Sequence, residues 1–356
     1  MSDMTSLERM LKAANLGIPD RVPVAPYMGN HGAKIGGALG HEYCQSGELM
    51  AEAQFRAWEI YGQDAVVPQS DNYYIAEGFG IKVEHHHDGT PTLKTPVINE
   101  LKDIDRLKVP NPQTDGRMPV YLDAIGRLAK RVGEKVVVRA PGTGPLSLAS
   151  HLMGTNNFLM ELATVVMEPG GESEKALRKL MQLTTEALIR FSRAALDAGA
   201  HMVQAGDSLA SIDMISPSMY EQWAYPYEKM FFEEINSYAQ AKGAMTLLHI
   251  CGDMTPVLEL MADTGAHILE LDYKVNMREA KERVGDRVCI MGNVNPSAVL
   301  LQGTPEEVGQ ASVDVIKQAG EGGGLILGSG CEVPIFAPVA NLRAMIDTAR
   351  SFRYPF

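Results

Sequence analysis

Three residues stand out by type and spacing: His249 and Cys251 in Leu247-Leu248-His249-Ile250-Cys251, and Cys331 in Leu327-Gly328-Ser329-Gly330-Cys331. One imidazole and two thiols are the donors that a borderline-soft ion such as zinc takes, and thiolates select it over magnesium or calcium. In an extended chain, residues i and i+2 share a face. His249 and Cys251 then project together, while Leu248 and Ile250 turn to the other side. Three protein ligands leave a fourth position for water, a weak oxygen or a substrate, the pattern of a catalytic rather than a structural site. A His-x-Cys pair alone arises often by chance, so the third donor at a second strand end carries the weight. The other cysteines read differently. Cys289, inside Arg287-Val288-Cys289-Ile290-Met291, reads as a small buried hydrophobe, and Cys44 as an ordinary thiol of a loop or helix. Strand alternation splits His85-His86-His87 between two faces, which speaks against a metal cluster there. His267 begins a strand and reads as structural.

The elements that must position these residues are legible as short β-branched apolar runs followed by helical periodicity. Strands are expected at Val22–Pro26, Asp64–Val67, Val136–Ala140, His201–Ala205, Thr246–Cys251, His267–Leu271, Arg287–Met291 and Gly324–Leu327. Helices are expected at Glu48–Tyr61, Met118–Arg131, Glu174–Asp197, Pro217–Lys242, Thr255–Thr264, Met277–Val284, Pro305–Ala319 and Pro338–Phe352. Ser216-Pro217 and Thr304-Pro305 each set a capping hydroxyl before a proline at the first helical position, and Glu307 completes a capping box. Alternation of this kind predicts a parallel sheet, and eight units predict a closed (β/α)8 TIM barrel of the α/β class. An amphipathic N-terminal helix extends it, and a hairpin over Glu84–Leu93, with its tip at Asp88-Gly89, interrupts it. With no linker or repeat, residues 1–356 read as one domain.

Active sites of such barrels gather at the carboxyl ends of the strands. Those ends present Tyr27 and His31, Asp71 to Tyr74, Arg139, Asp207, His249 and Cys251, Asp272, Asn293, and Cys331. Asp207 is placed to orient substrate, to serve the metal or to act as an acid, the alternative being a cap for the turn that follows it. Glu332 offers a second acid or an oxygen ligand, or is a solvated loop residue. Tyr27, His31, Tyr73 and Tyr74, with Asn293, fit the wall of a pocket for a planar substrate. Packing of the long N-terminal loops would use the same tyrosines.

A net charge of −12 argues against nucleic acid and anionic membranes as partners, since no basic patch offsets it. Apolar runs are too short to span a bilayer, and the N-terminus lacks the charged-then-apolar order of a signal peptide. Four scattered cysteines make no disulfide framework. The expectation is a cytoplasmic protein, with a homo-oligomer left open.

Three segments resemble the uroporphyrinogen decarboxylase superfamily: Leu248-His249-Ile250-Cys251-Gly252, Met291-Gly292-Asn293-Val294-Asn295-Pro296, and Gly328-Ser329-Gly330-Cys331-Glu332-Val333-Pro334. Arg21-Val22-Pro23-Val24, Gly144-Pro145 and the stretch from Asp207 to Tyr220 extend the likeness over most of the chain. The decarboxylases carry an arginine-rich segment after the first strand, whereas Ala25-Pro26-Tyr27-Met28-Gly29-Asn30-His31-Gly32 has no arginine. Their reaction also leaves the three metal donors unexplained. The narrower resemblance is to the zinc-dependent corrinoid methyltransferases. It implies a zinc held by His249, Cys251 and Cys331, and a corrinoid (cobalamin) arriving on a separate carrier protein. It further implies transfer of a methyl group from a small methylated substrate, a methoxylated aromatic being favoured for the sake of the tyrosines and histidine of the N-terminal loops. The alternative is the reverse half-reaction, from methylcorrinoid to a thiol of the coenzyme M type. A reading of another class is a non-catalytic corrinoid- or tetrapyrrole-binding protein with a structural zinc.

Overall fold

The computed structural model describes residues 4–38, 40–87 and 89–356. Its strands are β1 (Ala65–Val66), β2 (Lys82–Glu84), β3 (Thr92–Thr95), β4 (Val137–Ala140), β5 (Met202–Gly206), β6 (Met245–Ile250), β7 (Ile268–Leu271), β8 (Cys289–Val294) and β9 (Leu325–Ser329). Seven form a parallel sheet in the order β1-β4-β5-β6-β7-β8-β9, and β2 pairs with β3 as the inserted hairpin. Asp88, half of the expected hairpin tip, lies outside the described residues.

The expected first strand, Val22–Pro26, closes the sheet into a barrel without becoming a regular strand. Leu327 N donates to Pro23 O and Ala25 N to Leu327 O, both at 2.8 Å, while Asp64 N donates to Val24 O at 2.8 Å on the other side. Pro23 and Pro26 have no amide hydrogen, so a full ladder cannot form. The eighth stave of the barrel is thus held by an isolated bridge, Val24 with Leu327.

Along each strand the inward side chains change character in steps of two. Val137, Met202, Leu247, Ile268, Cys289, Met291 and Ile326 pack into one apolar cluster with Met10, Ala13 and Ala14. Two residues further along come Arg139, Gln204, His249, Glu270 and Asn293. The floor of the barrel is therefore hydrocarbon and its mouth polar. Leu248 and Ile250 belong to the outer cluster shared with the helices, as alternation requires.

The N-terminal helix, Ser6–Ala14, plugs the floor; Thr5 and Glu8 form its capping box. Burying Met10 completely stabilises the plug by roughly 1.5–3 kcal/mol. Asp64 fixes it in place: the carboxylate accepts from Arg9 at 3.0 Å, from Arg21 at 2.9 and 3.0 Å, and from Val24 N at 2.8 Å. Both anticipated caps are present, with Ser216 Oγ accepting from Met219 N and Thr304 paired to Glu307. The helix expected over Pro217–Lys242 is interrupted by a π-turn at Tyr220–Ala224 before it resumes at Tyr225–Ala241. The chain also carries helices absent from the expected set, at Gly29–Ile35, Gly40–Gln45, Pro145–Met153 and Thr155–Met167. Among the described residues no helix is long and apolar enough to cross a membrane.

Candidate metal centre

His249 and Cys251 leave the end of β6 on one face, and Cys331 follows β9. Cys251 Sγ stands 3.4 Å from His249 Nε2 and 3.6 Å from Cys331 Sγ. All three donor atoms lie within 4.8 Å of one another, and among the described residues they are the one such group. Two glycines allow the approach. Gly252 has φ +87°, and a Cβ there would meet Ser211 Oγ at 2.3 Å; at Gly330 it would meet the Tyr273 backbone nitrogen at 2.4 Å. The Cys331 loop is stitched to its neighbours by Gly330 N to Val294 O at 2.9 Å and Val333 N to Tyr27 O at 2.8 Å.

The ring of His249 is oriented from behind. Parallel register sets it beside Glu270 of β7. Its Nδ1 lies 3.0 Å from Glu270 O and 3.4 Å from Glu270 Oε2, so Nε2 is the atom turned to the sulfurs. Glu270 is in turn held by Arg139 of β4 in a bidentate pair at 2.9 and 2.6 Å, and Arg139 Nε donates to Gln204 Oε1 at 2.6 Å. Burial pushes the Glu270 carboxyl up, but Arg139 and His249 more than offset it and hold the group ionised below its ordinary range. A carboxylate or carbonyl behind a ligating imidazole fixes its tautomer and raises its basicity. Burial pulls His249 down, yet the neighbouring Cys251 sulfur and Glu270 carry it up to about 9. Between the thiols, hydrogen bonding from Cys331 holds Cys251 low and Cys331 high. Two such sulfurs sharing a proton are a donor set that suits a soft cation. Ser208 Oγ adds a polar neighbour 3.4 Å from Cys251 Sγ.

The other candidates divide. Tyr27 is half-buried at the mouth, with the Arg139 guanidinium 4.3 Å from its ring centre. Glu332, partly buried, accepts on Oε1 from Asn30 N at 3.1 Å and from Asn30 Nδ2 at 2.9 Å, and burial raises its carboxyl above the usual range. Tyr73 is half-buried against His151, their rings 4.6 Å apart. Asn293 donates through Nδ2 to Asp272 O at 2.9 Å and Val275 O at 2.7 Å, which commits it to stapling the β7 loop.

Three residues stand elsewhere than the pocket wall or the metal. Tyr74 is fully buried and stacks on Tyr121 at 3.9 Å. His31 is fully buried on the helix Gly29–Ile35, with Nε2 2.8 Å from Tyr61 Oη and Nδ1 3.2 Å from Ile335 O. Asp207 is fully buried too, and its two carboxylate oxygens accept from Leu146 N at 3.0 Å and Ser147 N at 2.7 Å. It therefore caps the helix Pro145–Met153, not the turn that follows it in sequence. Asp272 is the local cap, Oδ1 accepting from Lys274 N at 3.0 Å.

Cys289 is wholly buried in the floor layer, its thiol pushed up to about 12 by desolvation. His85 and His86 lie beyond β2, which ends at Glu84, and they part without strand alternation, His85 to Cys44 Sγ at 3.4 Å and His86 to Thr92 Oγ1 at 2.9 Å. His267 bonds Thr246 at the start of β7, a structural contact. Glu270, Gln204 and Ser208 were not among the sequence candidates. A glutamate inside Ile268-Leu269-Glu270-Leu271 and an arginine inside Val137-Val138-Arg139-Ala140 are opposite charges in apolar strands, and that complementarity is the signal that could have joined them.

Fold and site together define a class: a (β/α)8 barrel with an imidazole and two thiols converging at the carboxyl ends of its strands. The chain belongs to the uroporphyrinogen decarboxylase (URO-D) family, whose model matches residues 5–352. It is 31% identical to a methylcobamide:CoM methyltransferase MtbA of Methanosarcina mazei, over 99% of this chain and 100% of that one. A methylcobamide:CoM methyltransferase MtaA of Methanosarcina barkeri is 28% identical over 97% and 98% of the two chains. Among solved structures it is similar to a methyltransferase from Methanosarcina mazei, with TM-score 0.86, 26% identity and coverage of 98% and 99%.

Proposed function

We propose that this chain is a zinc-dependent methyltransferase that passes a methyl group between a corrinoid carried by a partner protein and a small substrate, with residues 1–356 acting as one cytoplasmic unit. The observation that carries this reading is the convergence of His249, Cys251 and Cys331 within 4.8 Å at the barrel mouth. Those three residues would hold the ion. When bound, zinc supplies a Lewis acid that makes a thiol more acidic or polarises a methoxy oxygen, and the corrinoid supplies the methyl carrier. Around them, Glu270 keeps the proton of His249 on Nδ1, and Arg139 keeps Glu270 ionised and immobile. The half-buried Tyr27 narrows the mouth on the Arg139 side.

The favoured substrate is a small thiol that accepts the methyl group, as in the named reaction of the two methylcobamide:CoM relatives. Two of the four residues behind the aromatic alternative, Tyr74 and His31, are closed into the core. Demethylation of a methoxyarene remains the second reading because of Glu332. Its Oε1 is engaged by Asn30, and burial raises its carboxyl above the usual range, the direction that a general acid for a departing phenolate oxygen requires. Asp207 has both oxygens committed and leaves Glu332 as the acid of the pair. A structural zinc in a non-catalytic tetrapyrrole binder would require a fourth protein donor, and no fourth His, Cys, Asp or Glu joins the group among the described residues.

The test is methyl transfer by the zinc-loaded protein, assayed with methylcob(III)alamin and a panel of thiols, and with cob(I)alamin and a panel of methoxyarenes. Methylation of a thiol, abolished by Cys251→Ala and Cys331→Ala, supports the first reading. Methylation of cob(I)alamin by a methoxyarene, weakened by Glu332→Gln, moves the assignment to the second. Transfer with neither panel, together with zinc retained in both cysteine variants, overturns the proposal.

A further inference from the structure

We infer that Cys251 and Cys331 close into a reversible disulfide when no ion lies between them, which makes the centre a peroxide-responsive switch. The inference rests on the metal-binding reading above and concerns the same two sulfurs in their metal-free state. Their Sγ atoms are 3.6 Å apart, on two segments held in place independently: Cys251 by the end of β6 and Cys331 by the bonds from Gly330 N and Val333 N. Both are partly buried, so a small oxidant reaches them, whereas Cys44 and Cys289 are buried. Neither of those two is placed to compete, since Cys289 lies in the floor layer and Cys44 packs on His85. The pair is thus the natural couple among the four thiols of the chain.

The chemistry balances with a peroxide as oxidant. The Cys251 sulfur, flanked by Ser208 Oγ and His249 Nε2 at 3.4 Å each, attacks one peroxide oxygen. The O–O bond breaks, leaving a sulfenic acid on Cys251 and releasing one water. The Cys331 sulfur then attacks the oxidised sulfur, the S–S bond forms and a second water departs. Two thiols and one hydrogen peroxide become one disulfide and two waters, the sulfur pair losing two electrons. A dithiol reductant reverses it by exchange, becoming a disulfide itself. A proximal second thiol therefore diverts the oxidation from sulfinic acid, which is not reduced back, to a recoverable state. An ion bound by both sulfurs slows the first step, since each sulfur then shares an electron pair with the cation and is a weaker nucleophile.

The experiment uses the full-length protein, zinc-loaded and chelator-stripped, each treated with one equivalent of hydrogen peroxide. In the stripped protein free thiols should fall from four to two, and the intact mass should drop by two hydrogens. A non-reducing peptide map should join the Cys251 and Cys331 peptides, and zinc uptake should be lost, then restored by a dithiol. The zinc-loaded protein should keep four thiols through the same treatment. Cys289→Ala should cross-link as the parent does, and Cys251→Ser or Cys331→Ser should not. Addition of oxygen atoms at either cysteine without a cross-link, or a cross-link through Cys44, overturns the inference. Metal content decides the parent reading separately. Protein that binds no zinc yet forms this disulfide sinks the metal assignment and keeps the switch; protein that binds zinc and resists cross-linking when stripped does the reverse.

Discussion

The floor and the mouth of this barrel are each organised around a buried carboxylate gripped by arginine, and they differ in what the grip serves. At the floor, Asp64 gathers Arg9, Arg21 and the Val24 amide and ties the N-terminal plug to the first two staves. At the mouth, Glu270 is held by Arg139 and passes its orientation on to His249. Similar chemistry fastens chain to chain in one place and aims a ligand in the other. The cysteines repeat the lesson, with Cys289 sealed among methionines and aliphatics at one end and Cys251 and Cys331 paired and reachable at the other. Residue type sets what a group can do, and its depth along the strand decides whether it does it.

The comparison breaks most decisively at Asp64. Asp64→Ala takes the carboxylate from Arg21 and leaves Arg9 to Asp20 alone, and removing one partner of a buried pair typically costs about 3–5 kcal/mol. Urea unfolding should show that loss, with zinc content per folded molecule unchanged. A loss under about 1 kcal/mol would mean that the floor pairs are solvated, not structural. Tyr74→Ala should lose a comparable amount, about 3–5 kcal/mol, because the ring stacks inside the core. Tyr27→Ala should instead weaken substrate binding while leaving the unfolding midpoint nearly intact. Equal destabilisation by the two changes would erase the distinction between core and mouth tyrosines.

Glu270→Gln keeps the shape of the mouth pair and removes its charge. Zinc affinity, read by competition with a chromogenic chelator, should fall by about 10–100-fold, the usual effect of losing a partner behind a metal-bound histidine. Unchanged affinity would assign His249 orientation to the Glu270 carbonyl alone.

The smallest effect concerns pH. His151, beside Tyr73, is held neutral in the fold, burial bringing its imidazole down from 6.5 to about 4. Between those values the unfolded chain binds a proton that the native state refuses, so stability falls as pH drops through that window and levels off below it. One such group contributes a slope of at most about 1.4 kcal/mol per pH unit. His151→Asn should make the acid limb of the stability curve shallower by part of that amount. The limb will not vanish, since burial lowers His31, His201 and His267 in the same direction. An acid limb identical to the parent's would place His151 in contact with water.

Much of this was legible beforehand, for reasons that lie in short-range physics. Strand alternation alone put His249 and Cys251 on one face, and the capping residues Ser216 and Thr304 marked their helices. Repetition of the strand-helix unit implied the barrel, which brought Cys331 to the same rim. What periodicity could not show was occupancy. Asp207, His31 and Tyr74 sit where strand-end residues belong, yet whether each faces the mouth depends on helices packed over it from distant sequence. Asp207 went to Pro145–Met153 because two amides at a helix start lack partners and a buried carboxylate satisfies both. Glu270 acquired its role only when parallel register set it against His249 and an arginine 131 residues away closed the pair. The sequence by itself determined the donors, the strands and the end of the barrel where they meet. Tertiary structure alone decided which polar groups remain free there, because a hydrogen-bonding group is spent by whichever partner the fold brings within reach.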